Sequence, residues 1–111
     1  MTGVFRNAAL RASLVVTCAA GAAFTAGAHA GDAQAGRAKA VQCSACHGLD
    51  GMSKLPEAPN LAGQTEPYLI KALKDYRSGK RKDEMMNTMA KPLSDADIAN
   101  LAAFYNGLKP Q

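Results

Sequence analysis

The stretch Cys43-Ser44-Ala45-Cys46-His47 decides how the rest of this 111-residue chain folds. Two cysteines separated by two residues and followed directly by a histidine form the C-x-x-C-H pattern, which is typical of covalent haem attachment. Each thiol can add to one vinyl group of haem and form a thioether bond. The histidine then lies under the porphyrin, where an imidazole nitrogen can bind the iron. The motif therefore predicts that Cys43, Cys46 and His47 hold one haem c.

Cysteine pairs at this spacing also occur in zinc sites and in thioredoxin-like redox proteins. A structural zinc site needs about four ligands, whereas the chain after residue 30 offers two thiols and one imidazole. A thioredoxin-like dithiol requires strand–helix–strand units around the motif, and no strand pattern is present on either side. We therefore favour haem attachment over both alternatives.

The first 30 residues are typical of a secretory signal peptide. Arg6 and Arg11 give a positive start, an apolar run covers residues 12–24, and Ala28-His29-Ala30 has the small-x-small pattern of a cleavage site. An uncleaved membrane anchor is the alternative, but the apolar core is short for a span of roughly 20 strongly apolar residues. We therefore expect cleavage after Ala30 and export to the periplasm.

Cleavage would leave a single domain over residues 31–111. This domain carries eleven Lys plus Arg and nine Asp plus Glu, a formal charge of +2, compared with +4 for the whole chain. It has no basic stripe interleaved with aromatic residues, so the composition gives no indication of nucleic-acid binding. Cys18 lies in a context that fits a lipoprotein acylation site poorly, and it would leave with the signal peptide. No membrane span is expected in the mature domain.

A domain of this size without tryptophan has a marginal hydrophobic core. Small domains of this kind usually need a cross-link or a cofactor to fold. Burying roughly 500 Å² of porphyrin at about 25 cal/mol/Å² contributes on the order of 12 kcal/mol, as an upper estimate. We therefore expect haem to form the core, and the chain without haem to be largely unfolded.

Helices and loops account for the predicted secondary structure. A first helix is predicted from a cap at Asp32 to about Cys43, with Gly36 and Ala40 on one face. Residues 48–64 are rich in glycine, proline and asparagine without a helical period, which predicts a loop.

Two more helices are predicted in the second half of the chain. The first covers residues 65–79, between a threonine cap and a glycine that ends it. A basic, methionine-containing loop is predicted over residues 80–92. Ser94 and Asp97 resemble a capping box that begins the last helix, and Gly107 closes it.

Few residues of the mature chain are candidates for the two axial ligands of the iron. His29 belongs to the signal peptide, so His47 is the only imidazole of the mature chain and bis-histidine ligation within one chain is excluded. A methionine thioether is then the strong candidate for the sixth ligand. Met52 lies too close to His47 in sequence to reach the opposite face of the ring. Three methionines follow a whole helix and can reach it, unless they only fill the core: Met85, Met86 and Met89. Spacing alone does not separate these three.

Several segments outside the haem motif match a known family. They are Gly31-Asp32-Ala33, Pro59-Asn60-Leu61-Ala62-Gly63-Gln64, Tyr68-Leu69-Ile70-Lys71, Met86-Asn87-Thr88-Met89 and Leu93-Ser94-Asp95. With these segments, residues 31 to about 106 resemble a short class I cytochrome c, most closely one half of the bacterial two-haem class I proteins. The resemblance implies an all-α fold of three to four helices wrapped around a covalently attached haem. It also implies that Met86 binds the iron, that Met89 packs near the haem and that Met85 has no assigned role.

The resemblance implies two supporting contacts as well. In the family, a proline carbonyl accepts the Nδ1–H of the ligand histidine, and Pro59 occupies that position. Such a bond would set the tautomer and orientation of His47. The residues alone would suggest only that Pro59 shapes the loop. The family also packs its first helix on its last one, which corresponds to Gly36 against Phe104 or Tyr105.

Ligation by imidazole and thioether leaves no open position on the iron for a substrate. We therefore expect a one-electron carrier that docks transiently with a redox donor and acceptor, rather than an enzyme. A gas-binding or peroxidatic haem is one alternative, and it requires the methionine to be displaced. A haem subunit of a larger oxidoreductase is another, so the protein is expected to be a monomer or a subunit of a redox complex. A group of basic residues can frame the docking site of an acidic partner, or be plain solvated surface: Lys71, Lys74, Lys80, Arg81 and Lys82.

Overall fold

The computed structural model describes residues 31–111, together with Gly3, Gly21 and Ala22. Apart from those three residues the predicted signal peptide, including Cys18 and Ala30, lies outside the described part of the chain, so its cleavage stays a prediction. Residues 31–111 form helices and no strands, which confirms the all-α expectation. The elements are α1 (Ala33–Ala40), a 3₁₀ turn (Val41–Cys43), α2 (Ser44–His47), α3 (Glu66–Ser78), α4 (Glu84–Ala90) and α5 (Asp95–Asn106).

Helix α1 begins where the sequence predicts. The Asp32 carboxylate accepts hydrogen bonds from Gln34 N at 2.8 Å and from Ala35 N at 3.2 Å, which satisfies two free amides of the first turn. The α-helix ends at Ala40, earlier than predicted, because the chain tightens into the 3₁₀ turn before it enters α2. The first helix therefore leads directly into the C-x-x-C-H motif.

Helix α1 packs on α5 through backbone rather than through side chains. A Cβ on Gly36 would lie 1.9 Å from the Asn100 carbonyl oxygen and 2.9 Å from Phe104 Cβ, so only glycine fits this crossing. The predicted contact of Gly36 with Phe104 is present, although the nearest atom belongs to Asn100. The Asn100 side chain also accepts a hydrogen bond from Asp32 N at 2.8 Å.

Helix α3 has the predicted limits. Thr65 occupies the N-cap position in extended backbone, but its hydroxyl makes no capping hydrogen bond. Gly79 ends the helix in the left-handed region with φ 79°, as is common for a glycine after a helix. The Arg77 guanidinium ties α3 to the start of α5, because it donates to Leu93 O at 3.0 Å and to Asp95 Oδ1 at 2.6 Å.

The prediction of a loop over residues 80–92 is wrong, because α4 lies within it. The helix begins at a cap in which Asp83 Oδ1 accepts from Met86 N at 2.8 Å. A further local hydrogen bond runs from Thr88 Oγ1 to Glu84 O at 2.9 Å. The segment has no apolar period, so only its cap carried a signal in the sequence, and that signal was missed.

Helix α5 provides most of the core. The predicted capping box is confirmed, since Asp97 N donates to Ser94 Oγ and Ser94 N donates to Asp97 Oδ2, both at 3.0 Å. The buried hydrophobic residues of the described chain are Ala40, Leu69, Ala90, Leu93, Ile98, Leu101, Ala102, Phe104 and Tyr105. Only Ile98 and Leu101 among their large side chains are fully buried. No helix in residues 31–111 is long and apolar enough to span a membrane.

Candidate functional site

The two cysteines of the motif lie one helical turn apart. Cys43 ends the 3₁₀ turn and Cys46 lies in α2, so their side chains project from the same side of the chain. The Ser44 hydroxyl donates to Val41 O at 2.8 Å and so stabilises the 3₁₀ turn that ends at Cys43. Both thiols are free and partly exposed. Burial raises the pKa of the Cys43 thiol.

His47 is buried, with 7% of its surface exposed, yet only one of its ring nitrogens has a protein partner. Its Nδ1 lies 2.9 Å from Pro59 O. Because a carbonyl oxygen can only accept, Nδ1 carries the proton and Nε2 keeps its lone pair. The hydrogen bond that the family resemblance implies is therefore present, and it leaves Nε2 ready to bind a metal.

The loop of residues 48–64 holds the Pro59 carbonyl in place. Gly51 O accepts from Leu61 N at 2.8 Å, and Asn60 Oδ1 accepts from Ser53 N at 2.7 Å. Gly51 itself has φ 74°, and a Cβ there would lie 2.7 Å from the backbone nitrogen of Ala62. The loop thus folds back on itself on both sides of Pro59, and His47 is oriented by a fixed acceptor.

The candidate methionines differ in exposure. Met85 is 61% exposed, whereas Met86 and Met89 on the same helix are half-buried. Met85 is therefore the least packed of the three methionines of α4. Burial does not separate Met86 from Met89. Met52 is half-buried in the loop that directly follows the motif.

The Tyr105 hydroxyl marks the place where the core meets the motif. It is the one buried side-chain polar atom of the described residues without a hydrogen-bond partner. It lies close enough to the Cys43 thiol to interact with it, and burial, followed by that thiol, raises the pKa of Tyr105. The family resemblance named Tyr105 only as a possible neighbour of Gly36, where the first helix packs on the last. Nothing in its spacing pointed to the motif.

These residues fit a covalently bound haem. Two free thiols could attach the group, and a buried imidazole with a free Nε2 and a half-buried thioether could bind its iron. Cys43 packs against the small hydrophobic core, and a buried hydroxyl beside it lacks a partner. In the described part of the chain no three His, Cys, Asp or Glu side chains form a metal-binding group.

The five basic residues predicted for docking are all exposed. Arg81 is nevertheless ordered, because its guanidinium lies 4.8 Å from the centre of the Tyr76 ring and donates to the Tyr68 hydroxyl at 3.3 Å. The hydrogen bond to Tyr68 raises the pKa of Arg81. Lys71 forms an ion pair with Asp75, which lowers the pKa of that carboxyl. These contacts of Arg81 with the Tyr76 ring and the Tyr68 hydroxyl were not predicted from the sequence.

Comparison with known proteins adds the family context. A family model described as cytochrome c matches residues 30–109. The chain is 50% identical to cytochrome c4 of Pseudomonas aeruginosa over 80 residues, which cover 72% of this chain and 40% of that protein. It is also 50% identical to cytochrome c-554(548) of Halomonas halodenitrificans over 80 residues, covering 69% of this chain and 96% of that protein.

Two further similarities concern a redox partner protein and a solved structure. A thiosulfate dehydrogenase electron acceptor of Thiomonas intermedia is 46% identical over 74 residues, which cover 65% of this chain and 34% of that protein. The crystal structure of reduced recombinant cytochrome c4 from Pseudomonas stutzeri superposes with a TM-score of 0.68 at 45% identity. That match covers 72% of this chain and 47% of the other. The chain therefore spans about half the length of the cytochrome c4 proteins that it matches, or less.

Proposed function

The chain belongs to the cytochrome c family, and we propose that it is a one-electron carrier with a single covalently bound haem c. The predicted similarity to one half of a two-haem protein is confirmed by the cytochrome c4 matches. The observation that carries the proposal is the buried His47, with Nδ1 held by Pro59 O at 2.9 Å, directly after two free thiols.

Each residue of the site has a distinct task in this proposal. Cys43 and Cys46 form the two thioether bonds, and His47 binds the iron through Nε2. Met86 supplies the sixth ligand from α4, a choice that its half-buried side chain and the family motif both support. When bound, haem supplies an iron that alternates between Fe(III) and Fe(II), and thioether ligation favours the ferrous form. With both axial positions filled by the chain, no substrate binds the iron, so the proposed role is electron transfer rather than catalysis.

Export to the periplasm, with cleavage after Ala30, is part of the same proposal. Gly31 packs on α5, because a Cβ on it would lie 2.0 Å from Ala99 O. The residue that follows the proposed cleavage site is thus already part of the folded domain. The sequence also favours cleavage at this point, because the small-x-small pattern Ala28-His29-Ala30 ends directly before Gly31.

The proposed partners are acidic redox proteins that dock transiently on the exposed basic residues. Arg81, which is already ordered between Tyr68 and Tyr76, requires little further ordering on binding. A second candidate role is that of a haem subunit or dedicated acceptor of a larger oxidoreductase. The similarity to a thiosulfate dehydrogenase electron acceptor favours it. Under this alternative the haem chemistry is unchanged, and only the lifetime of the complex differs.

Purified native protein tests the proposal directly. We expect a mass equal to residues 31–111 plus one haem, and ferric protein with the weak red absorption of thioether-bound iron. The ferrous protein should not bind carbon monoxide. Met86→Ala should lose the red absorption and bind carbon monoxide, whereas Met85→Ala, which changes an exposed side chain, should behave as wild type. Wild-type protein that binds carbon monoxide readily would contradict the carrier role.

A further inference from the structure

The Asn87 side chain, directly after Met86, connects three separate segments. Its Nδ2 donates to Tyr76 O at 2.7 Å, in the last turn of α3, and to Arg81 O at 2.8 Å, in the link between α3 and α4. Its Oδ1 accepts from Asp83 N at 2.9 Å, at the cap of α4. Both amide protons and the amide oxygen are thus used. No other side chain of α4 forms a hydrogen bond outside the helix and its cap.

The bond to Asp83 N has an unusual position in the helix. In an ordinary capping box, the third helical residue returns a hydrogen bond to the backbone of the cap residue. That third residue is Met86 here, and its thioether cannot make the bond. Asn87, the fourth residue, makes it instead. The helix therefore keeps a reciprocal cap while its third position is free to carry a thioether.

Helix α4 depends on such an attachment. It has seven residues, and Ala90 at its end is its only buried one. A helix this short is not stable in isolation and is held by tertiary contacts. Asn87, the central residue of α4, supplies two such contacts directly after Met86 and three residues before Ala90.

We propose that Asn87 is a positioning residue that fastens α4 to the end of α3 and thereby keeps the Met86 sulfur on the iron. The inference rests on the proposed ligation by Met86. Without the Asn87 bonds, α4 moves more easily away from α3, and an external ligand can replace the thioether. Asn87 thus determines how readily the iron opens to exogenous ligands.

The test is a titration of the ferric holoprotein with imidazole, followed by loss of the red thioether absorption. Asn87→Asp retains an oxygen for Asp83 N and removes only the two bonds to α3 and the link, because a carboxylate cannot donate. Its negative charge lies three and four residues after Glu84 and Asp83, where like charges weaken a helix slightly, and urea unfolding of the same variant measures that loss. Asn87→Ala removes all three bonds. Thr88→Ala is the matched control, because it removes a hydrogen bond that stays within α4.

We expect both Asn87 variants to bind imidazole at least about tenfold more tightly than wild type, and Thr88→Ala to stay within about twofold. Urea unfolding of the same samples, followed by far-UV circular dichroism, separates positioning from stability. A lower unfolding midpoint with unchanged imidazole affinity would show a merely structural role and overturn the inference. If Asn87→Asp bound imidazole no more tightly than the wild type, the inference would also be wrong. The proposed function would still stand in that case, provided that the wild type shows the red absorption. If the wild type lacks that absorption, the ligation proposal fails, and this inference fails with it.

Discussion

The two sides of the proposed iron site are built in different ways. On the histidine side, attachment and ligation come from five consecutive residues, and the acceptor for His47 lies twelve residues away. On the methionine side, the ligand lies on a separate short helix whose position depends on contacts with α3. The histidine side is therefore defined by local sequence, whereas the methionine side is defined by tertiary packing. We expect the methionine side to open first when the protein is stressed.

Removing the haem should have the largest effect, because it removes both sides at once. Cys43→Ser with Cys46→Ser prevents covalent attachment, and the loss of roughly 500 Å² of buried porphyrin removes on the order of 12 kcal/mol. We expect most of the helical far-UV circular dichroism to be lost. A chain without haem that kept native-like helix content would contradict the idea that haem forms the core.

Gly36→Val should destabilise the histidine side through α1. The new side chain begins with a Cβ 1.9 Å from Asn100 O, so α1 and α5 must separate. We expect a loss of about 3 kcal/mol in the free energy of unfolding. Ala38→Val, exposed on the same helix, is the control and should cost about 0.5 kcal/mol. Urea unfolding of the holoproteins measures both, and equal effects of the two variants would refute the close crossing.

Gly51→Ala tests the histidine side alone, because it strains the loop that holds Pro59. Its φ of 74° and a Cβ 2.7 Å from Ala62 N together should cost about 2 kcal/mol. We also expect a higher reduction potential, since a weaker bond from Nδ1 makes His47 a poorer donor to Fe(III).

Gly79→Ala is the matched control for this variant. Gly79 has φ 79°, but the nearest atom to its Cβ would be Lys82 Nζ at 3.9 Å. Gly79→Ala should lower the free energy of unfolding by about 1 kcal/mol and leave the reduction potential unchanged. A potential that moved equally in both variants would show that the loop does not act through His47.

The smallest effect on stability is expected at the cap of α5, a helix that carries neither of the proposed iron ligands. The hydrogen bond from Ser94 N, and then the Ser94 hydroxyl and Lys39, lower the pKa of Asp97. Its contribution is therefore present above the unfolded pKa of about 3.9 and is lost as the pH falls through the lower folded value. Asp97→Asn should cost about 1 kcal/mol at pH 7 and progressively less below about pH 4.

Thermal unfolding across this pH range checks the prediction. Glu57→Gln, an exposed substitution in the loop, is the control. A difference between wild type and Asp97→Asn that stayed constant with pH would contradict the assigned role of the carboxylate. Asp97→Asn and Glu57→Gln should bind imidazole as tightly as the wild type, because neither residue lies on an element that carries a proposed iron ligand.

The parts of the fold that are encoded locally could be predicted from the sequence. The Ser94–Asp97 capping box and the glycine at the end of α3 each act through neighbouring residues, and each is found where predicted. Helix α4 was missed because it is short and has no apolar period. Its signals are the Asp83 cap and the Asn87 side chain, whose partners Tyr76 and Arg81 are distant in sequence.

The supporting contacts of the site were predictable only through family resemblance. The bond between His47 and Pro59 joins residues whose spacing carries no rule of its own. The residues alone pointed to a small residue at Gly36 but not to its contact with the Asn100 backbone, because a helix crossing depends on the arrangement of the whole fold. The unpaired Tyr105 hydroxyl beside Cys43 was not predicted at all.

The contact of α1 with α5 also has a consequence for the order of events during biogenesis. It joins residues 68 positions apart, as in the hydrogen bond from Asp32 N to Asn100. This closure cannot form until nearly the whole polypeptide has been synthesised and, under the proposed export, translocated. Until then α1, and the C-x-x-C-H segment that follows it, lack their packing against the last helix. The segment that would carry the haem is therefore held in its final position only after the last helix has been completed.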